Sequence, residues 1–393
     1  MKICDLTQFY SPVSGGVKRY VHEKIAYIAE HRAEDEHVLI IPGAKTECAD
    51  FGRSRTYSIA SPLLSRTSRY RALLNLRAVE EILEREQPDI IESGDPYQMA
   101  WKAIACGAAL RIPAVGFYHS HFPEAYLRSA AKFLGLSATE TVMGLARRYV
   151  HKLYNSFAAT FVPSAQLAEL LREWGVANTH VVPLGVNEKV FSSSPDDAAE
   201  TRASLSIPPD RCVLLYVGRL AKEKNTLTLF RAFDLLTQRS AERFHLLVVG
   251  DGSQRDALRQ LEAKTGDVTW MKYCPDSAEL AKFYRAANLF VHPGVQETFG
   301  LVALESQACG TPVVGIAGTY MDRIILHRQE AWARENSPRA LAVAIEKMAA
   351  GDVAELGVRA AQSANQSHSW RRVFDRLFCI YQNVCAEYKN TRA

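Results

Sequence analysis

The sequence lacks the features that mark several large classes of protein. No apolar run approaches the roughly 18–20 residues that span a bilayer, so no transmembrane helix is predicted. The amino-terminal MKICDLTQFY enters a strand-like run directly, without the charged and apolar regions of a secretory signal peptide, so we expect a cytoplasmic protein. The formal net charge is only +4 over 393 residues, which does not indicate a nucleic-acid partner.

Metal-binding and redox motifs are also missing. The eight cysteines are scattered without a CxxC pair, which favours reduced thiols over a disulfide framework or a zinc site. No DxD triplet is present to carry a divalent ion, so we expect no metal and no cofactor. The first strand-like run is followed by FYSPVSGGVKRY rather than GxGxxG, which argues against a dinucleotide oxidoreductase.

Strand-like runs alternate with helical patterns along the whole chain, which predicts an α/β fold with parallel sheets covered by helices. Val186–Pro209 has few strand signals and separates two such series. We therefore predict one doubly wound, Rossmann-like domain over residues 1–185 and another over 186–369, facing each other across a cleft at the strand carboxyl ends. Whether a final helix near 370–393 packs back on the first domain is left open by the pattern.

The second series opens with LLYVGRLAKEKN, which places a glycine and two cations after a strand. Gly218 at the strand end would let a ligand approach the backbone. Arg219 and Lys224 would neutralise a diphosphate, the arginine as a planar fork and the lysine as a point charge. Taken alone, this spacing is more typical of two solvated surface cations.

The stretch HPGVQETFGLVALES combines a helix start with two carboxylates. The amides of Phe299, Gly300 and Leu301 would be unpaired at the start of the predicted helix and would bind an anion. Glu297 and Glu305 would accept hydrogen bonds from hydroxyl groups, so a ligand with a sugar, a diphosphate and a ribose fits the pattern. The alternative, equally supported by the residues alone, is that Glu297 caps the helix and Glu305 is solvated.

Taken in order, these motifs resemble the family 4 retaining nucleotide-sugar glycosyltransferases, which have the GT-B fold. HPGVQETFGLVALES resembles the EX7E motif of that family, and VGRLAKEKN resembles its phosphate-binding G-R-x4-K. FYHSHFPEAY resembles the segment whose histidine faces the donor sugar, and VPLGV resembles the linker into the nucleotide domain. Two glycine turns also match, the amino-terminal pair Gly15-Gly16 and the second-strand turn Gly250-Asp251-Gly252.

The resemblance implies roles for residues of the second domain. Arg219 and Lys224 would clamp the diphosphate and stabilise the charge on the leaving group in place of a metal. Glu305 would hold the ribose hydroxyls. Glu297, with the backbone around Phe299-Gly300, would hold the donor sugar or its phosphate. Tyr273 is a weaker candidate for the base pocket, and the residue pattern there is more typical of an ordinary aromatic.

The resemblance also implies roles in the first domain and a reaction. The Gly15-Gly16 backbone would close on the sugar phosphate, and His119 would contact the sugar near the reacting carbon. His121 and Glu124 would shape the acceptor side. A hexosyl group would pass from GDP-mannose or a UDP-sugar to a lipid or saccharide hydroxyl, giving an α-glycoside with retention. One departure concerns the sugar pocket, because the sequence has AGTYMD where relatives often have Gly-Gly-x-x-Glu.

The acceptor side of the sequence leaves two interpretations open. From Phe51 to Val79 there are six arginines and no Asp or Glu. This stretch fits peripheral contact with anionic lipid on the inner face of a membrane, and it also fits solvated helix faces, which we slightly favour.

Two other functions compete with glycosyl transfer. One is a GT-B sugar-nucleotide enzyme that does not transfer to an acceptor, such as an epimerase. The other is a non-catalytic module that binds nucleotide sugars.

Overall fold

The computed structural model describes residues 1–8, 10, 16–64, 69–119, 136–194, 197–295, 299–319, 321, 324–325, 327 and 329–390. The chain divides into two compact units, Met1–Leu184 with Trp370–Ala393, and Gly185–Ser369. Each unit is a sheet covered by helices, which confirms the predicted α/β class. Within the described ranges, no helix is both long and apolar enough to cross a membrane.

The first unit contains a sheet whose strand order is β3-β4-β2-β1-β5-β6-β7-β8. All neighbouring strands in it run parallel except β3 and β4, which are antiparallel. Its strands are β1 (Lys2–Leu6), β2 (Glu36–Gly43), β3 (Glu47–Asp50), β4 (Ser54–Ala60), β5 (Ile90–Ser93), β6 (Ala114–Phe117), β7 (Ala159–Val162) and β8 (Thr179–Val181).

Helices cover this sheet and connect its strands. They are α1 (Gly16–His31), α2 (Leu76–Glu86), α3 (Gln98–Leu110), α4 (Leu136–Asn155), α5 (Ala165–Glu173) and, from the end of the chain, α13 (Trp370–Asn390). The last helix packs on α1 through an aromatic cluster in which the rings of Tyr27 and Phe374 lie 5.4 Å apart. Tyr27 also contacts Phe378, so the apolar stripe of the last helix is buried on the first unit.

The sequence pattern of the first unit misleads at two places. The pattern near Tyr70–Arg85 predicts a helix, but α2 begins only at Leu76, because Asn75 caps it by accepting a hydrogen bond from the amide of Ala78 at 3.1 Å. Strands β3 and β4 were not predicted at all. The four residues of β3 are exposed, and β4 carries Arg55 among only half-buried neighbours, so neither has the apolar run that marks a buried strand.

The second unit has a parallel sheet of order β11-β10-β9-β12-β13. Its strands are β9 (Cys212–Val217), β10 (Phe244–Val249), β11 (Val268–Met271), β12 (Leu289–Val291) and β13 (Val313–Val314). Its helices are α6 (Ala198–Ser204), α7 (Thr226–Arg239), α8 (Arg255–Thr265), α9 (Ser277–Ala286), α10 (Leu301–Ala308), α11 (Pro338–Ala349) and α12 (Val353–His368). The central strands are buried on both faces, which explains their continuous apolar sequences.

Candidate functional site

The candidate donor residues of the second unit lie along one edge of its sheet. Strands β9, β10 and β12 are parallel, so their carboxyl ends meet at this edge. Gly218 follows β9, Gly250 follows β10, and His292 follows β12. This is the edge where ligands bind in open α/β sheets.

The loops after β9 and β10 pack backbone against backbone. A Cβ atom added at Gly250 would lie 1.8 Å from the carbonyl oxygen of Gly218, and one at Gly252 would lie 2.3 Å from the carbonyl oxygen of Leu220. Gly250 also has a φ of +149°, which L side chains rarely adopt. Because Gly250 and Gly252 have no side chains, the two loops can pack closely. This packing fixes the backbone that carries Arg219.

The two predicted phosphate-binding cations belong to one short loop. Arg219 is 58% exposed, and its guanidinium lies 3.1 Å from the carboxylate of Glu223. The Tyr216 hydroxyl donates a hydrogen bond to the carbonyl of Arg219 at 2.9 Å and holds the backbone there. Lys224 ends a single 3-10 turn, Lys222–Lys224. The structure brings both cations to the sheet edge and leaves the arginine accessible to an anion.

Asn225 is a site residue that the sequence did not reveal. It adopts the left-handed conformation between the 3-10 turn and α7. Its side-chain amide donates to the carbonyl of Pro293 at 2.8 Å and to the side-chain oxygen of Asn336 at 2.7 Å. The Asn225 side chain thus ties the loop of Arg219 to the loop that follows β12. A single asparagine after a lysine gives no pattern from which this link could be predicted.

The start of α10 has the features of an anion site that the sequence predicted. Gly300 precedes the helix with a φ of +75°, and among the described residues no side chain caps this end. Phe299 is buried, with its ring edge-on to His368. The first amides of a helix carry a partial positive charge, so Leu301 begins a segment able to bind a phosphate.

Glu305 is buried rather than solvated. Its side chain lies on α10, only 2% of the residue is exposed, and one carboxylate oxygen accepts a hydrogen bond from the Tyr284 hydroxyl at 3.0 Å. The interpretation that Glu305 is a solvated surface residue is therefore wrong. Glu297, its partner in the motif, lies outside the described residues.

Tyr273 lies just beyond a strand of the second sheet. The apolar run Val268–Tyr273 predicts a strand over its whole length, but β11 ends at Met271 and Tyr273 is 53% exposed. The two residues after Met271 are not paired in the sheet, so the prediction was too long by these two residues.

The corresponding edge of the first unit is built from buried groups. His119 follows β6, and its ring stacks on Phe117 with 4.0 Å between centroids. The ring of Tyr20 stands edge-on to it at 5.0 Å. Burial, with a smaller contribution from Lys24, lowers the pKa of His119 to about 3. The imidazole is therefore neutral near pH 7.

Asp95 lies at the same edge and was not predicted as a site residue. Its carboxylate accepts hydrogen bonds from the amide of Gln8 at 2.7 Å and from the amide of Tyr97 at 3.3 Å. Burial raises the pKa of Asp95 to about 6. Next to it, a Cβ atom at Gly94 would lie 3.6 Å from the His119 ring, so the ends of β5 and β6 are in close contact. An acidic residue two positions after a strand was the signal available in the sequence.

A buried ionic cluster lies within the same unit, on strands β1 and β5 and helix α1. The Lys24 ammonium is fully buried and lies 2.8 Å from Asp5 and 3.0 Å from Glu92. It also donates to the hydroxyl of Tyr381 on α13 at 3.0 Å. Although burial opposes the charge, Lys24 and His37 lower the pKa of Asp5. Burial instead raises the pKa of Glu92. The cluster connects β1, β5, α1 and the last helix.

Several predicted residues cannot be placed. Gly15, His121 and Glu124 lie outside the described residues. Asp322, the last residue of the segment AGTYMD, does so too. Gly16 is the first residue of α1 and is exposed. Gly318 adopts a φ of +77°, so the backbone turns where the sequence has AGTYMD in place of Gly-Gly-x-x-Glu.

The arginine-rich stretch is not a uniform basic surface. Arg53 donates to the carbonyls of Ala29 and Arg32 at the end of α1, at 3.1 and 2.7 Å. Arg55 pairs with Glu36 and Glu86, and Arg71 donates to the carbonyl of Ser61. Neither interpretation of the stretch holds for these three arginines, because each has an internal partner.

Two family models match the chain, one in each half. The model described as Glycosyltransferase Family 4 matches residues 14–190, and the model described as Glycosyl transferases group 1 matches residues 197–366.

Curated relatives are similar over most or about half of the chain. A GDP-mannose-dependent alpha-(1-6)-phosphatidylinositol dimannoside mannosyltransferase of Mycobacterium tuberculosis is 29% identical over 88% of this chain and 87% of its own length. An alpha-monoglucosyldiacylglycerol synthase of Streptococcus pneumoniae is 29% identical over 62% of this chain and 55% of its own length. A D-inositol 3-phosphate glycosyltransferase of Actinosynnema mirum is 35% identical over 52% of each.

Solved structures share the architecture. Sucrose-phosphate synthase from Thermosynechococcus elongatus superposes with a TM-score of 0.78, at 22% identity, over 98% of this chain and 99% of that one. Anabaena HepE in complex with UDP and glucose gives a TM-score of 0.74 at 18% identity, over 98% and 100% of the two chains. Because both sequence identities are below 25%, these structural similarities establish the fold alone.

Proposed function

Because the chain belongs to the family 4 glycosyltransferases, we propose that it moves a hexosyl group from a nucleotide diphosphate sugar to a lipid hydroxyl, with retention at the anomeric carbon. The chain is a glycosyltransferase with the GT-B fold. The donor, the acceptor and the stereochemical course are the parts that we propose.

One observation carries the proposed donor site, namely the link between the cation loop and the loop after β12. The Asn225 side chain bonds to the carbonyl of Pro293 at 2.8 Å, so the loop of Arg219 and Lys224 is fixed to the loop that leads towards α10. Cations from one loop and helix amides from the next suit the two phosphates of a diphosphate. In this proposal Gly218 and Gly250 allow the loops to approach closely, and Arg219 and Lys224 neutralise the leaving group.

The remaining donor contacts follow the family resemblance. Glu297 and the backbone around Phe299-Gly300 would hold the sugar or its phosphate, and Glu305 would hold the ribose. The hydrogen bond from Tyr284 fixes one oxygen of the Glu305 carboxylate, which supports a role that needs a defined orientation. Tyr273 is accessible to a base because it is exposed.

His119 would act on the sugar as a neutral group. A neutral imidazole both donates and accepts a hydrogen bond, which suits a sugar hydroxyl, whereas a cation would suit a phosphate. The Gly15-Gly16 backbone would close on the sugar phosphate, and His121 and Glu124 would contact the acceptor.

The proposed reaction is a same-face substitution without a metal. The bond from the anomeric carbon to the diphosphate oxygen breaks while the bond to the acceptor oxygen forms on the same face. The acceptor proton passes to the leaving phosphate, whose charge Arg219 and Lys224 stabilise. Activity should survive EDTA. Loss in EDTA followed by recovery with magnesium would contradict the metal-free proposal.

The acceptor and the donor are proposed from the relatives. The mycobacterial relative is named for GDP-mannose and a phosphatidylinositol dimannoside, and the streptococcal relative for a diacylglycerol, so we favour a lipid acceptor. GDP-mannose is the first donor to test, with UDP-glucose and UDP-N-acetylglucosamine as the alternatives.

The experiment that tests this function has two stages. Thermal-shift screening of GDP, UDP, ADP and their sugars identifies the donor, and proton NMR of the product formed on a phosphatidylinositol or diacylglycerol acceptor identifies the linkage. We expect an α-anomer. A β-anomer would exclude retention. Conversion of the donor sugar without any acceptor would indicate an epimerase, and nucleotide-sugar binding with no turnover on any acceptor would indicate a binding module.

A further inference from the structure

Two buried side-chain oxygens at the carboxyl edge of the first sheet have no hydrogen-bond partner among the described residues. They are the hydroxyl oxygen of Thr7, a residue that is only 1% exposed, and the side-chain carbonyl oxygen of Gln8. Thr7 and Gln8 are the first two residues after β1. A buried polar oxygen without a partner costs free energy of folding, so its presence in a structure needs a reason.

The carboxylate of Asp95 lies beside these oxygens. It accepts hydrogen bonds from the backbone amides of Gln8 at 2.7 Å and Tyr97 at 3.3 Å, and Asp95 is 2% exposed. Within the described part of the chain it forms no ion pair, and its pKa of about 6 leaves it ionised above that pH. An ionised carboxylate has sites for about four hydrogen bonds, so the two amides leave accepting capacity unused.

Gly94 leaves a small space between Thr7 and His119. A Cβ atom added at Gly94 would lie 3.5 Å from the Cβ atom of Thr7, and 3.6 Å from both the Thr7 hydroxyl oxygen and the Cδ2 atom of His119. These are ordinary van der Waals distances. The space beside Gly94 therefore admits one group of the size of a methyl or a hydroxyl, next to the Thr7 hydroxyl.

The chemistry of these side chains selects a ligand with hydroxyl groups. The Asp95 carboxylate and the Gln8 side-chain oxygen only accept hydrogen bonds, whereas the Thr7 hydroxyl both donates and accepts. A hydroxyl group can donate to the carboxylate and accept from Thr7, but a phosphate would be repelled by the carboxylate. Two acceptors and one hydroxyl together match two neighbouring hydroxyls of a ring better than a single hydroxyl.

We propose that Thr7, Gln8 and Asp95 bind two neighbouring hydroxyl groups of a cyclitol or hexose ring, and that this ring belongs to the acceptor. The assignment to the acceptor rests on the proposed function, in which His119 contacts the donor sugar near the reacting carbon. A hydroxyl in the space beside Gly94 contacts the His119 ring and so lies next to that carbon. The acceptor class is then a polyol rather than a diacylglycerol, which has a single free hydroxyl.

The test is calorimetric binding of short-chain lipids to the full chain. Dihexanoyl phosphatidylinositol and a dihexanoyl glucosylglycerol carry polyol rings, whereas dihexanoyl phosphatidylmethanol has the phosphate and acyl chains without a hydroxyl group. The wild type should bind at least one polyol lipid about tenfold more tightly than phosphatidylmethanol, because only the ring supplies hydrogen-bonding hydroxyls. No preference for either polyol lipid would overturn the inference.

Thr7→Val removes the hydroxyl oxygen and nearly keeps the shape of the side chain. It should weaken binding of the preferred polyol lipid by about 3- to 10-fold, as for one lost hydrogen bond. The unfolding temperature should not fall, because the Thr7 hydroxyl has no hydrogen-bond partner among the described residues. Thr7→Ser keeps the hydroxyl and should bind like the wild type.

Thr160→Val is the matched control for this substitution. Thr160 is fully buried in the same sheet, but its hydroxyl donates a hydrogen bond to the carbonyl of Tyr154 at 3.0 Å. Thr160→Val should therefore lower the unfolding temperature and leave binding of the polyol lipid unchanged. The two valine variants are expected to have opposite effects on stability and on binding.

Gly94→Ala tests the space beside the Thr7 hydroxyl. The added methyl group would fill this space at van der Waals distances, so the variant should fold but bind the polyol lipid about tenfold more weakly or worse. Gly144→Ala is the control, because a Cβ atom there would have no neighbour within 4 Å, and it should bind like the wild type. Unchanged binding of the polyol lipid in Thr7→Val and Gly94→Ala would overturn the inference.

The donor sugar is the other source of neighbouring hydroxyls, and a second titration separates the two sources. The affinities for GDP-mannose and UDP-glucose are compared with those for GDP and UDP in the wild type and Thr7→Val. If the hydroxyls are those of the acceptor, the substitution leaves all four affinities unchanged. A loss confined to the nucleotide sugars would assign the hydroxyls to the donor and overturn the inference.

The proposed function is judged separately, by product formation in the wild type. A chain that transfers the hexosyl group but binds polyol lipids equally with and without the Thr7 hydroxyl would refute the acceptor site alone. A chain that binds a polyol lipid through Thr7 and transfers no sugar to it would instead refute the proposed function.

Discussion

The two units place charge differently at equivalent edges of their sheets. In the second unit Arg219 is exposed and paired to Glu223 on the surface, and glycines bring two loops together. In the first unit the charges are buried, with Lys24 between Asp5 and Glu92. An exposed cation can exchange its partner for an incoming phosphate, whereas a buried one is committed to its carboxylates. We infer that the sheet edge of the second unit binds a charged ligand, whereas the sheet edge of the first unit provides a rigid support.

The largest expected effect comes from breaking the buried cluster. Lys24→Met should lower the free energy of unfolding of the first unit by about 3–5 kcal/mol, because Asp5 and Glu92 would remain buried without their cation. Chemical denaturation measures this loss.

Arg77→Met is the matched control, because Arg77 forms an exposed pair with Glu81 at 3.0 Å. It should cost less than about 1 kcal/mol. Equal costs for the two variants would remove the distinction between buried and exposed charge.

The next effect concerns the glycine contact of the second unit. Gly250→Ala should destabilise the unit by about 3 kcal/mol or more, because the new methyl group would overlap the Gly218 carbonyl oxygen and the φ is strained. The unfolding temperature and the affinity for the nucleotide should both be lower than in the wild type.

Gly266→Ala provides the control for this substitution. Gly266 also has a positive φ, but a Cβ atom there would have no neighbour within 4 Å. Gly266→Ala should lower the free energy of unfolding by only about 1–2 kcal/mol, because the strain arises from the backbone conformation alone. A milder effect at Gly250 than at Gly266 would show that the loops do not meet as described.

A pH-dependent effect is expected from Asp95. Its folded-state pKa of about 6 lies above the ordinary value of 3.8, so the folded state binds the proton more tightly. The resulting stabilisation is present below pH 3.8 and is lost as the pH rises through 6, by about 3 kcal/mol in total.

This effect is isolated by comparison with Asp95→Asn, which cannot titrate. The stability of the wild type relative to the variant should fall between pH 4 and 6 and become constant above pH 7. Denaturation curves at several pH values measure the difference. A difference that does not change with pH would contradict the burial of an ionisable carboxyl group at this edge.

The smallest expected effect is an absence of titration at His119. Because burial lowers its pKa to about 3, the imidazole resonances of His119 should not shift between pH 5 and 8. Comparison of NMR spectra of the wild type and His119→Asn assigns the signal. A titration near pH 6.5 would mean that this histidine is exposed and could carry a charge during the reaction.

The sequence predicted best where one local pattern determines the structure. The apolar run Val213–Val217 predicts the strand before Gly218, and β9 begins only one residue earlier, because a strand covered on both faces is apolar throughout. The start of α10 at Gly300-Leu301 was also predicted, and among the described residues no side chain caps it.

The failures occur where distant partners decide the structure. Arg55 lies in a strand because Glu36 and Glu86 neutralise it, and Lys24 is buried because Asp5, Glu92 and Tyr381 surround it. The Tyr381 contact joins residues 357 positions apart in the sequence. No local periodicity encodes such partners. The burial of Glu305 likewise depends on a partner outside its own helix, Tyr284.

The most direct test of the account is calorimetric binding of the donor nucleotide to two arginine variants of the second unit. Arg219 and Arg359 are both exposed, and each pairs with a glutamate one turn away, but only Arg219 lies at the carboxyl edge of the sheet. We predict that Arg219→Ala weakens GDP or UDP binding by about 10- to 100-fold, as for a lost charge-assisted phosphate contact, and that Arg359→Ala binds like the wild type. Equal affinity in both variants and the wild type would contradict the proposed donor site.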